Sequence, residues 1–174
     1  RAKKALVDFE AADNYQAAEQ AWTDFLLAAS SFFSQIEQGV KGYPRSEAWF
    51  GRTKHQRKKD PVLRYLHFAR NADEHGIEYV TAQYPDGGQK QRFGERTEWL
   101  VQEYDPVKEV GIGDKVKAWM YGPHIKLIRA YDHRFGDFCD PPKFTGHPSR
   151  DPADLGAVSI DLLQSILDDA ADFI

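Results

Sequence analysis

A chain of 174 residues, 41% hydrophobic and 29% charged, is long enough for one domain with a genuine core and too balanced to be disordered or fibrous. A single cysteine, Cys139, excludes an internal disulfide framework, no apolar run approaches the roughly 18 residues of a membrane span, and a net charge of -4 argues against a protein coated in nucleic acid. With no cationic, apolar leader in view, the expectation is a cytoplasmic protein with no membrane partner.

Ala5, Leu6 and Phe9 point to a short first helix. Asp13 and Asn14 are cap residues for a long second one, whose Ala18, Trp22, Phe25, Ala29, Phe32, Phe33 and Ile36 recur at intervals of three and four and make one wide apolar stripe. Gly39 is its expected stop. After Gly42-Tyr43-Pro44, Ser46 begins a short helix through Trp49 and Phe50 that is expected to dissolve into the basic run KHQRKK, residues 54–59. The next helix is punctuated clearly: Asp60 at the N-cap, Pro61 at the first helical position and Gly76 at the stop predict a helix over 61–75. Val62, Leu63, Tyr65, Leu66, Phe68, Ala69 and Ala72 cover most of its circumference, which predicts a central, buried helix whose polar residues gather at the far end.

From Ile77 the period changes to two. IEYVTAQ (77–83), TEWLVQEY (97–104), VKAWMY (116–121) and HIKLIRAY (124–131) read as antiparallel strands, the last two as a hairpin about Gly122-Pro123. Gly111-Ile112-Gly113-Asp114 lacks the further glycine and following helix of a nucleotide-binding turn and reads as a strand connection. A Pro-rich loop spans 132–150. Asp151-Pro152 then opens a last helix with Leu155, Val158, Leu162, Ile166, Ala170 and Phe173 on one face. The fold class expected is α+β, a mainly helical bundle with a small inserted antiparallel sheet. It forms one domain over 1–174, with a helical core at 13–76 and 152–174 and the insertion at about 77–135.

Chemistry concentrates at RNADEH, residues 70–75. In a regular helix Arg70 and His75 stand about 140° apart with about 7.5 Å of rise, so they share no face. The length of the Arg side chain and the helix stop still let both reach one cleft. Asn71 and His75, four apart, do share a face. Upstream, residues 52–70 hold seven cations (Arg52, Lys54, Arg57, Lys58, Lys59, Arg64 and Arg70) against one acid, Asp60, a segment able to meet phosphates. The plain alternatives stay open: Arg70 pairing with Asp73 or Glu74, His75 stabilising the helix end, and the basic run as a solvated loop. Asp132, His133, Asp137, Cys139, Asp140 and His147 include metal-ligand types but match no recognised spacing, and Cys139 with His133 or His147 lacks an orienting third group. Both sets read as a polar loop.

The Arg70-Asn71-x3-His75 pattern at the end of a central helix resembles the motif of the HEPN superfamily. The phrases HFARNADEHGI (67–77) and PPKFTGHPSRDPADLGA (141–157) also look like bacterial members of it. The resemblance covers roughly 13–76 and 152–174, and the strands between are a departure. It implies a helical bundle that acts as a metal-independent ribonuclease of a toxin or defence system. In that reading His75 is acid/base, Arg70 the phosphate ligand and Asn71 a support, with Lys54, Arg57, Lys58, Lys59 and Arg64 along the RNA. It also implies a homodimer that brings two motifs together, an inhibitor or antitoxin partner, and no cofactor. The alternative is a catalytically silent module of the same kind that binds RNA, nucleotide or protein.

Overall fold

A computed structural model describes residues 1–74, 80–83, 89–93, 96–100, 125–132, 136–143 and 152–173, with backbone alone at 73–74, 83, 89–93 and 96–100. Among these residues the chain is mainly helical α+β. It has helices α1 (Ala2–Ala11), α2 (Tyr15–Val40), α3 (Pro44–Lys59) and α4 (Pro61–Glu74). Strands β1 (Thr81–Gln83), β2 (Gln89–Phe93), β3 (Arg96–Leu100), β4 (Ile125–Leu127), β5 (Ala130–Asp132) and β6 (Asp137–Cys139) follow, and helix α5 (Pro152–Ala170) comes last.

Local signals explain the helix starts. Asn14 caps α2 by accepting a hydrogen bond from Ala17 N at 2.9 Å, and Asp60 Oδ1 accepts from both Val62 N and Leu63 N at 2.9 Å, satisfying donors that α4 would otherwise leave unmade. Gly39 does not stop α2. The helix runs on to Val40, and Gly42, at φ +86, takes the left-handed conformation that only glycine adopts without strain. The basic run is not a frayed end either, because α3 stays helical through Lys59. Arg57, Lys58 and Lys59 stand in its last turn, where cations meet the negative end of the helix dipole.

Both long apolar stripes point inward. Along α2, Ala18, Trp22, Phe25, Ala29, Phe33 and Ile36 are buried, and along α4 so are Val62, Leu63, Tyr65, Leu66, Ala69 and Ala72. Trp22 is fully enclosed, stacked on Phe25 at 5.1 Å between centroids and edge-on to Phe9 of α1 at 6.2 Å. The inward face of α5 is rotated from the expected one. Leu155, Ser159 and Leu163 are buried, Leu162 and Ile166 are half-buried, and Val158 is exposed. The cause is the close approach of α1: a β-carbon on Gly156 would lie 2.5 Å from Leu6 Cδ1, so the glycine side of α5 is drawn against α1. At the far end, Phe173 stacks on Trp49 at 5.5 Å and its carbonyl accepts from Ser46 Oγ, closing the chain onto α3.

The strands form three antiparallel pairs, β1 with β4, β2 with β3, and β5 with β6. The run HIKLIRAY is two strands and not one. Between them Ile128 N donates to Val80 O at 3.1 Å and Ile128 O accepts from buried Tyr65 Oη at 2.7 Å, so α4 and residue 80 take backbone groups that a longer strand would have paired. Pattern reading missed β2, whose residues QKQRF are mostly polar, and β6 inside the supposed loop, where Gly136 supplies the positive φ of +65 before it. The expected strand at 116–121, its hairpin turn, the turn at 111–114, and the expected strand residues at 77–79 and 101–104 lie outside the described residues.

Candidate functional site

The central helix α4 packs on α2 and α3, and its turn at 67–71 faces the end of α3. Arg70 is half-buried there and lines a cleft of about 460 Å³, open to solvent, whose α2 wall is Leu27 together with the polar Ser30, Ser31, Ser34, Gln35 and Gln38. These polar residues are the solvent side of the helix whose other side fills the core. Arg70 Nη1 donates to Asn71 Oδ1 at 3.2 Å, so the motif's Arg and polar residue are in contact. The third member, His75, lies outside the described residues, as do the side chains of Asp73 and Glu74 that the plain alternative pairs with Arg70.

A different histidine joins them. His67 is three residues before Arg70 and four before Asn71, spacings that place all three on one helical side. Its Nε2 lies 3.4 Å from Asn71 Nδ2, and its Nδ1 lies 3.0 Å from Arg57 Nη2 across the α3–α4 contact. The ring keeps an exposed edge, yet its pKa is held below the ordinary 6.5. Burial is the largest cause, followed by the charges of Arg57 and Arg70, with Lys58 adding slightly and Asp132 of β5 opposing. Sequence reasoning searched only downstream of Arg70 and so passed over His67, although the spacing signal was present.

Of the five residues expected along RNA, one belongs to this group. The Arg57 guanidinium carbon lies over the ring of Phe33 of α2, 4.1 Å from its centroid, and the Arg57 pKa is lowered by burial and then by Arg70. Lys54 is occupied elsewhere, with Nζ 2.7 Å from Glu37 Oε1 of α2, an exposed pair that holds the Glu37 carboxyl below its ordinary value through that hydrogen bond and the charge. Arg64 points away toward Asp137 of β6, at 3.6 Å, and lies over Phe68. Lys58 and Lys59 are exposed at the end of α3. The helical continuation of α3 thus splits a run that is continuous in sequence onto several sides.

Among the described residues no three His, Cys, Asp or Glu come together as metal ligands. Asp140 instead accepts a two-pronged ion pair from Arg129, at 2.7 and 3.0 Å, and the buried Cys139 thiol is pushed up in pKa, chiefly by burial, opposite to what a nucleophile requires. His133 and His147 lie outside the described residues. No described helix is long and apolar enough to cross a membrane. No protein-family model, curated protein or solved structure matches the chain.

Proposed function

We propose that this protein is a metal-independent endoribonuclease of HEPN type, in which Arg70 binds the scissile phosphate and His75 moves the proton. The observation that carries the reading is the placement of Arg70. It is half-buried at the wall of an open cleft of mixed polar and apolar lining, with one N–H steadied by Asn71, and its guanidinium has the paired donors that phosphate oxygens accept.

The reaction follows from these groups. The 2'-oxygen of RNA attacks the adjacent phosphorus and gives up its proton to a base. The bond from phosphorus to the 5'-oxygen breaks as that oxygen is protonated, leaving a 2',3'-cyclic phosphate and a 5'-hydroxyl. A histidine, with an ordinary pKa of about 6.5, exchanges protons near neutrality, and Arg70 balances the charge that builds on the non-bridging oxygens. DNA, lacking the 2'-hydroxyl, is inert. A toxin or defence role, held off by an inhibitor protein, is the setting this activity fits.

The test is cleavage of single-stranded RNA by purified protein in excess chelator, with His75→Ala followed for activity and thermal unfolding together. Cleavage by the unmodified protein and its loss in a variant that still unfolds at the same temperature is the expected result. Strict dependence on divalent metal, or full activity in His75→Ala, removes the proposal. A second reading, a silent module that binds RNA or nucleotide, is favoured by the concentration of donors around His67. It predicts binding with no cleavage under any condition.

A further inference from the structure

Six cations of α3 are set against one acid, Glu47, whose carboxylate accepts from Gly42 N at 2.9 Å. They do not all point the same way. The side packed on α2 and α4 buries Ser46, Trp49, Phe50 and Thr53, and its flanks hold Lys54 on Glu37 and Arg57 over Phe33. Arg45, Arg52 and Lys59 stand on the side turned to solvent. They are seven residues apart, so each is turned only about 20° from the last and carried about 10.5 Å along the axis. Lys58, exposed in the last turn, joins them at the end nearest α4, where its charge bears on His67. Ala48 and Gly51 between them are small and exposed, so the cations rise above a low surface.

The chain as a whole is anionic, at -4, so this stripe is a segregation of charge. Its boundary lies at the start of the helix. There α5 and the turn after it, which expose Asp161, Asp168, Asp169 and Asp172 and carry no Lys or Arg, meet α3 through Phe173, stacked on Trp49 and beneath Arg45. A polyanion is repelled by α5 and drawn along α3 toward the turn of α4 that carries Arg70. At the head of the stripe Tyr43, the residue before α3, is 66% exposed. A line of cations ending in an exposed aromatic ring is what a single-stranded polynucleotide engages, with phosphates on the cations and a base on the ring. A membrane surface fits less well, because the solvent side of α3 bears no large apolar side chain to insert.

We infer that the outer side of α3, from Tyr43 and Arg45 through Arg52 to Lys58 and Lys59, binds the backbone of a single-stranded polynucleotide and leads it toward the Arg70 cleft. The inference rests on the ribonuclease reading for naming RNA as the natural strand, and it extends the substrate contact along about 21 Å of helix beyond the cleft. The cations supply affinity that is indifferent to sequence, because they meet phosphates and not base edges.

The test is binding of a fluorescently labelled single-stranded DNA oligonucleotide, which lacks the 2'-hydroxyl and stays uncut, followed by anisotropy between about 50 and 200 mM salt. Four phosphate contacts give a slope of log affinity on log salt of about -2.8, so affinity should fall about fiftyfold over that range. In the double variant Arg52→Gln with Lys59→Gln the slope should drop to about -1.4 and the fall to about sevenfold, with the unfolding temperature little changed because both side chains are exposed. Tyr43→Ala should weaken binding about tenfold and leave the slope alone, because stacking releases no counterions, and Tyr43→Phe should bind as the unmodified protein does. An unchanged slope in the double variant overturns the inference, as does undetectable binding by the folded, unmodified protein. Polyglutamate bound as tightly as the oligonucleotide, and without regard to Tyr43, also overturns it and assigns the surface to an acidic protein. The two readings fail separately: RNA cleavage with KM and salt dependence unaltered in the double variant keeps the ribonuclease and removes this surface, whereas oligonucleotide binding with the expected slope and no RNA cleavage keeps the surface and removes the ribonuclease.

Discussion

His67 shows how one side chain reports its surroundings. Its folded pKa lies below the ordinary 6.5, mainly through burial and then through Arg57 and Arg70, so above about pH 6.5 both the folded and the unfolded chain carry it neutral. As pH falls below that value the unfolded chain takes the proton first, and folding stability is lost until the folded ring is protonated too. The unfolding temperature should therefore decline across this interval more steeply in the unmodified protein than in His67→Gln, read by thermal melts between about pH 7 and 5. Parallel curves would mean that His67 feels no such environment. Tyr65 makes the same point for a neutral group. It is 0% exposed, burial pushes its phenol far above its usual pKa, and its one polar atom is satisfied by Ile128 O at 2.7 Å.

At the scale of elements, that bond joins the central helix to the break between β4 and β5. Tyr65→Phe keeps the ring and leaves the Ile128 carbonyl short of a partner, so it should cost about 1–3 kcal/mol in denaturant unfolding. A loss below the error of the measurement would show that water replaces the hydroxyl. The α1–α5 contact is steric. Because a β-carbon at Gly156 meets Leu6, Gly156→Val overfills the junction and should cost about 1–3 kcal/mol even though the helix loses a poor helix former. Adding Leu6→Ala should return part of that loss. Two losses that simply add would show that the residues do not compete for one space.

At the scale of the whole molecule, the proposed chemistry needs Arg70 and His75 in one cleft, although five residues of regular helix separate two positions by about 140°. A two-fold homodimer with one shared cleft would bring Arg70 of one chain to His75 of the other, and we propose that arrangement. Arg70→Ala and His75→Ala proteins, each inactive alone, should recover part of the cleavage activity when mixed under conditions where subunits are shown to exchange. A strictly monomeric protein at high concentration, or no recovery despite exchange, rejects the shared site.

The sequence by itself determined the helices and the mainly helical class. The stripe from Ala18 to Ile36, the Asp60-Pro61 start and the Asn14 cap are local signals, and period and capping chemistry act over a turn or two of backbone. It also placed Arg70 and Asn71 at the polar end of the central helix. Only tertiary structure decided which cations belong together. Arg57 is ten residues from His67 and is brought to it by the packing of α3 on α4, while Lys54, a little farther in sequence, and Arg64, much nearer, are turned toward Glu37 and Asp137. The rotation of α5 and the division of HIKLIRAY were decided in the same way, by Leu6 against Gly156 and by Tyr65 and Val80 taking the bonds of Ile128. Periodicity describes a segment alone, and these outcomes depend on what packs against it.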